Sequence, residues 1–348
     1  MGLLSVADGC LGKLDQCYFA YHCFRHRRSP AMFHLGWGSH EAIAAVNADW
    51  QSPREPSVPH IEWDTDWTAT AGDMWFRNGS FTTPAHHAHL PDESRVAYLR
   101  FVRPTRAVGG PVVVLTPTSS EVGVDGRLPI ARALAKLGVS TVLLESPFMG
   151  RRKPQAQHGA TLSHFSDFLV LSAACIEEAR GVLAWLGDQS FDNICIGGIS
   201  KGGYLAAVAG LRSPVPVQVV SLLAPHSGVP VLLDGLLGRL CDWSLLQRTS
   251  GSQVPVRQQM EDVFEQTSLE RLPFPDSVRR LTLIGARRDH YVPAQSYERM
   301  QQHWAGNATV RWLCGGHVSS IAERGHLIRA LTESLDRSRP LTSLSATS

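Results

Sequence analysis

The chain has 348 residues, of which 43% are hydrophobic and 18% charged, with a net charge of +2. That size and apolar fraction suffice for a sizeable core, in one large α/β domain with additions or in two domains. The charge is too balanced for nucleic acid as the main partner, and no run of about 18 apolar residues marks a membrane span.

Seven scattered cysteines show neither a Cys-x-x-Cys pair nor a zinc spacing. Such an odd, unpatterned set suggests reduced thiols in an intracellular protein, cytoplasmic or membrane-associated. Met1-Gly2-Leu3-Leu4-Ser5-Val6 matches a myristoylation signal only in part, because Val6 stands where Ser or Thr is wanted. The basic group Arg25, His26, Arg27 and Arg28 follows an apolar stretch rather than preceding it, the wrong order for a secretory signal. Residues 1–60 read as a helical extension, with helices over 11–24 and 40–50 separated by Gly36-Trp37-Gly38. The first helix is expected to pack on the main domain, with contact to a membrane surface as the competing role. A linker with three prolines closes the extension over 52–59.

Trp63, Trp67 and Trp75 fall in a stretch of alternating polarity, which predicts an antiparallel edge hairpin with Asn78-Gly79 as its turn. His86, His87 and His89 invite a metal reading, but they lie near Pro84 and Pro91, and the segment is read as a surface loop. From Val96 the pattern is regular. Apolar strands are predicted over 96–102, 112–115, 139–144, 194–196, 217–223, 281–284 and 308–313. Helices are predicted over 128–137, 162–186, 204–211, about 297–304 and 321–335. Continuously apolar strands alternating with helices imply a mostly parallel twisted sheet with helices on both faces. One domain therefore spans 61–337, followed by a polar tail over 338–348.

Residues 225–275 interrupt the alternation and read as an inserted lid or substrate wall. Val231, Leu232, Leu233, Leu236, Leu237 and Leu240 would give one helix a broad apolar face, suited to a medium or long acyl chain. The competing expectation is ordinary packing of that face on the domain.

The chemistry is carried by Gly198-Ile199-Ser200-Lys201-Gly202. A serine on a sharp strand-to-helix turn sits in strained backbone, so its neighbours must be tiny. Its hydroxyl is a weak nucleophile until a base, usually a His oriented by a carboxylate, takes the proton. In chain order after Ser200, Asp289 leaves the end of strand 281–284 and His317 leaves the end of strand 308–313, where Gly315-Gly316 gives it access. Both ends belong to the edge where open α/β sheets place ligands. His290 is the rival base and Asp276 the rival acid, the latter on the wrong end of its strand. An oxyanion hole needs two backbone N–H groups. One is expected from Lys201, the other from Thr118 or Ser119, since Pro117 has no N–H.

At these residues the chain resembles the family of abhydrolase domain-containing protein 18, a branch of the α/β-hydrolase superfamily. The resemblance runs from about 33 to 330, without the insertion. It is carried by Gly36-Trp37-Gly38, by Leu143-Leu144-Glu145-Ser146-Pro147 leading to Gly150-Arg151-Arg152-Lys153-Pro154, and by Ser166-Asp167. It continues through Gly198 to Gly203, Asp289-His290-Tyr291-Val292-Pro293 and Gly315-Gly316-His317-Val318-Ser319. Lys201 departs from the pattern, standing where the family more often has Met. The resemblance implies the α/β-hydrolase fold, acyl-ester hydrolysis with lipid esters as the substrate class, and Ser200, Asp289 and His317 as a triad needing no cofactor or metal. Amide hydrolysis on the same fold, or a non-catalytic binding protein, are the alternatives. Arg151 and Arg152 are candidates for an anionic head group. The competing role for Arg152 is an internal pair with a carboxylate such as Glu145 or Asp167.

Overall fold

The computed structural model describes residues 2–336 except 65, 71–73, 85–87, 106–108, 190 and 192, with side chains from residue 13 onward. His86, His87 and the polar tail lie outside the described residues.

Helix α1 (Gly2–Arg25) and helix α2 (His40–Gln51) form the extension. Ser39 caps α2 by accepting the Ala42 N–H, as a short polar side chain before an apolar-periodic run does. Three antiparallel elements follow: β1 (Glu62–Trp63), β2 (Thr68–Ala69) and β3 (Trp75–Thr82). The expected hairpin is there, but Asn78-Gly79 is not its turn. Both lie inside β3, opposite Arg100 and Leu99 of β4 (Val96–Arg103). Gly79 serves clearance instead: a Cβ would sit 2.8 Å from the Trp63 ring and 2.9 Å from Ile61.

Then come β5 (Pro111–Leu115), α3 (Leu128–Lys136), β6 (Ser140–Leu144), α4 (Phe165–Asp188), β7 (Asn193–Ile199), α5 (Lys201–Leu211) and β8 (Val217–Leu222). After the insertion follow β9 (Val278–Ala286), α8 (Ala294–His303), β10 (Ala308–Leu313), α9 (His317–Ala322) and α10 (Gly325–Leu335). The ten-stranded sheet runs β1-β3-β4-β6-β5-β7-β8-β9-β10, with β2 also on β3. It is parallel from β6 to β10 and antiparallel from β1 to β6.

Strands β5 to β8 are buried on both faces because their side chains alternate between two cores. In β5, Val112 and Val114 join the core with Phe165, Leu169 and Leu205, while Val113 and Leu115 join Ile130, Leu134 and Leu331. The helix read over 321–335 is two helices, since α9 ends at Ala322 and α10 starts at Gly325.

The insertion departs most from expectation. Its Leu-rich stretch is not one helix but a π-helical turn over Pro230–Asp234 and a 3-10 turn over Leu236–Leu240, broken at the extended Gly235. A Cβ at Gly235 would lie 2.5 Å from the Tyr291 carbonyl oxygen, so the break is where the insertion presses on the loop after β9. Leu232 and Leu236 are buried, and Val231, Leu233 and Leu237 pack against the core. Most of the apolar face thus packs against the body of the domain, and Leu240 is half-buried. Helices α6 (Trp243–Thr249) and α7 (Val256–Gln266) complete the insertion, with Leu246, Met260 and Phe264 buried.

Candidate active site

Strand β7 is buried throughout and ends at Ile199; helix α5 begins at Lys201. Ser200 between them has φ +56° and ψ −123°, a conformation that costs a non-glycine residue about 1–3 kcal/mol. The surroundings hold it there. A Cβ at Gly198 would lie 2.5 Å from the Gly202 carbonyl carbon, and one at Gly203 would lie 2.9 Å from the Ala224 Cβ. The Ser200 N–H donates to the Leu222 carbonyl at 2.8 Å, and the Thr116 hydroxyl donates to the Gly202 carbonyl at 2.6 Å.

Two further loops leave the same edge of the sheet, and backbone bonds join them. Arg287 N–H donates to Leu313 at 2.9 Å and Arg288 N–H to Gly315 at 3.2 Å. On the first loop Asp289 Oδ1 accepts the N–H groups of Tyr291 (2.8 Å) and Val292 (2.7 Å), which fixes the carboxylate and turns Oδ2 outward. Oδ2 lies 2.6 Å from His317 Nδ1, and His317 Nε2 lies 3.0 Å from Ser200 Oγ. An ionised carboxylate only accepts, so with imidazole neutral the proton belongs on Nδ1, and Nε2 is the free base facing the serine. Asp289 and His317 are each 6% exposed, which withholds the carboxylate and imidazole from bulk water. Hydroxyl, imidazole and carboxylate so arranged can activate an oxygen nucleophile. The rivals are elsewhere: His290 and Asp276 lie outside this series, His290 is exposed, and Asp276 precedes β9.

One buried group here escaped the sequence reading. Asp15 of α1 is fully buried and accepts the backbone N–H groups of His290, His317 and Val318. An aspartate one turn before Phe19 was its only trace in the sequence. It also corrects the role expected of Gly315-Gly316. A Cβ at Gly316 would meet the Asp15 carboxylate at 2.7 Å, and one at Gly315 would meet the Ser319 hydroxyl at 2.5 Å. The glycines make room for these two groups.

Of the expected oxyanion donors, the Lys201 N–H heads α5, where a helix supplies no acceptor of its own. The Thr118 N–H donates to Glu121 Oε2 at 3.1 Å. Arg127 holds the same carboxylate through its Nε at 2.9 Å, and its other nitrogens cap the Leu115 and Leu144 carbonyls. Ser119 is exposed. The Lys201 side chain is partly buried; burial lowers its pKa from the usual amine value, with Cys175 and Glu121 opposing.

A family model described as alpha/beta hydrolase domain containing 18 matches residues 30–254 and 247–337. The chain belongs to that family. The match runs through the insertion, which the sequence resemblance left uncovered, and leaves α1 outside it. Among solved structures, an acetyl xylan esterase from Paenibacillus sp. R4 superposes with TM-score 0.61 at 14% identity, covering 84% of this chain and 92% of that one. Acetyl xylan esterase 1 from Thermoanaerobacterium sp. JW/SL YS485 superposes with TM-score 0.53 at 13% identity, covering 86% and 96%. These likenesses establish the α/β-hydrolase fold.

The loop from Gly150 to Pro154 separates its two arginines. Arg152 is fully buried, and its guanidinium donates to Glu178 (2.5 and 3.0 Å), to the Glu145 carbonyl (2.6 Å) and to the Ser94 carbonyl (2.9 Å). It cannot reach a substrate, and its carboxylate partner is neither Glu145 nor Asp167 but Glu178. Asp167 instead accepts the His164 N–H at the start of α4. Arg151 forks onto Glu145 (2.6 and 3.2 Å), lies over the Tyr98 ring at 4.0 Å, and has a side chain 49% exposed. Its hydrogen bond to Glu145 raises its pKa above the usual guanidinium value. Among the described residues no cluster of His, Cys, Asp or Glu is arranged to hold a metal ion, and no helix is long and apolar enough to cross a membrane.

Proposed function

We propose that this chain is a serine hydrolase of carboxylic esters that works through an acyl-enzyme. Ser200 Oγ attacks the acyl carbonyl as His317 Nε2 takes its proton, and the same nitrogen delivers that proton to the departing alcohol. Water then attacks the acyl-enzyme, giving its proton to Nε2, and the carboxylic acid leaves as Ser200 recovers its hydrogen. Asp289 holds the imidazole by Nδ1 and stabilises its cation. The Lys201 N–H meets the negative charge that develops on the carbonyl oxygen. The observation that supports this reading is the 3.0 Å and 2.6 Å hydrogen-bonded series from Ser200 through His317 to Asp289, hung on a serine at φ +56°.

The proposed substrates are lipid esters met at a membrane surface. Leu14, Tyr18, Tyr21 and Phe24 recur along the outer side of α1 with exposures from 45% to 67%, just before the exposed Arg25, Arg27 and Arg28. Aromatic side chains beside cations suit an anionic interface. Arg151 is the exposed cation of its loop and the candidate for a head group. A fluorophosphonate probe should label the wild type and not Ser200→Ala, which keeps its fold. The wild type should hydrolyse anionic phospholipid vesicles as well as a neutral nitrophenyl ester. Labelling that persists in Ser200→Ala would remove the nucleophile, and activity on the neutral ester alone would remove the lipid reading.

A further inference from the structure

Asp15 stands apart from the hydrolytic series and yet touches both loops that carry it. Its Oδ2 accepts the N–H groups of His290 (3.0 Å) and His317 (2.9 Å), and its Oδ1 accepts that of Val318 (2.8 Å). His290 follows the acid directly, and His317 is the base. One buried carboxylate therefore clamps the acid loop to the base loop from behind. The fit is close, since a Cβ at Gly316 would stand 2.7 Å from Oδ2. One turn further along α1, Phe19 packs edge-on against Tyr291, with ring centroids 6.4 Å apart. The Tyr291 ring in turn lies 5.1 Å from that of His317. Between residues 13 and 25, Asp15 and Phe19 are the only buried residues. Within that stretch, the buried side chains of α1 are the two that meet these loops.

We propose that Asp15 is a positioning residue for the hydrolytic series, and that the docking of α1 through it completes the active site. A carboxylate suits this position because it presents acceptors to three converging N–H groups, and burial keeps water from competing for them. Without it, three N–H groups lose their acceptor, the two loops relax, and His317 moves relative to Asp289 and Ser200. A misplacement of about 1 Å at a reacting group costs on the order of 100-fold in rate. The proposal rests on the catalytic reading of Ser200, His317 and Asp289, so its test includes a measurement that does not need turnover.

The full-length wild type, Asp15→Ala, Asp15→Asn and Phe19→Ala are compared for kcat and KM on a nitrophenyl ester. Proton NMR follows the downfield His317 Nδ1–H shared with Asp289, and thermal unfolding monitors the fold. Asp15→Ala should lower kcat about 100-fold with KM nearly unchanged, and should shift or abolish the downfield proton. Asp15→Asn retains one acceptor oxygen for the His290 and His317 N–H groups and should fall in between, which also covers an Asp15→Ala that does not fold. Phe19→Ala loosens α1 but leaves the carboxylate, and should lose much less. Wild-type kcat and an unmoved downfield proton in Asp15→Ala would overturn the proposal, as would equal losses in Phe19→Ala. If the wild type itself neither turns over the ester nor takes the probe, the hydrolase reading fails, and the downfield proton alone still decides what Asp15 does.

Discussion

The elbow around Ser200 follows β7 and the insertion over 225–275 follows β8, neighbours in one sheet, but they take their shapes from different sources. At the elbow one contact between near neighbours joins remote ones from Thr116, Leu222 and Ala224. A Cβ at Gly198 would meet Gly202 at 2.5 Å and, closer still, the Thr116 hydroxyl, and the strained φ belongs to the serine between the two glycines. In the insertion the deciding contacts are remote: Phe264 stacks edge-on against Phe165 of α4, with centroids 5.4 Å apart, and Gly235 stops against the Tyr291 carbonyl. A glycine-spaced pattern therefore marks the first region in the sequence, and tertiary packing overrides periodicity in the second.

The largest expected effect tests the elbow side of this contrast. Asp289→Asn should lower kcat by about 10³–10⁴-fold while the melting temperature holds, because the amide no longer fixes the Nδ1–H tautomer. If Asp276→Asn does that damage and Asp289→Asn does not, the acid is misassigned. The next effect falls on the insertion. Phe264 is 1% exposed, so Phe264→Ala should cost about 3–5 kcal/mol and shift the whole urea transition. An unchanged transition would make the insertion a loosely attached lid and erase the contrast.

The smallest effect concerns His226 in the loop that opens the insertion. Its N–H and Nδ1 both meet the Ser296 hydroxyl, at 2.9 and 2.8 Å, and burial, with Arg299 adding, pulls its pKa down to about 4 against the pull of Glu270. The unfolded chain takes up that proton near pH 6.5, earlier than the folded one. Stability from this group is therefore present above about pH 6.5 and is lost as pH falls toward about 4, by about 3 kcal/mol at most. Urea melts at pH 7, 5.5 and 4.5 should show this slope in the wild type and a flatter one in His226→Asn. Equal slopes would place the acid sensitivity elsewhere.

The parallel strands were legible because a strand buried on both faces must be apolar throughout, as β6 and β7 largely are. Asp289 and His317 draw notice in the sequence because each closely follows a predicted strand, although β10, before His317, is only half-buried. Asn78-Gly79 misled, since the pair is a turn signal only where the backbone needs positive φ, and here Gly79 yields space to Trp63. Arg151 and Arg152 look alike in the sequence and end in opposite settings, because Glu178, which captures Arg152, lies 26 residues further on. Asp15 was invisible for the same reason on a larger scale, its partner His317 being 302 residues away.

That separation also orders events in time. A ribosome releases the segment around Asp15 long before the loop that Asp15 holds, at about 5–20 residues per second. During that interval Ser200 can already stand on its elbow, while the carboxylate on α1 has nothing to grip. The hydrogen-bonded series from Ser200 to Asp289 thus needs the joining of nearly the earliest and nearly the latest parts of the described chain. A polypeptide interrupted before residue 317 would carry Ser200 and Asp289 without the imidazole that joins them.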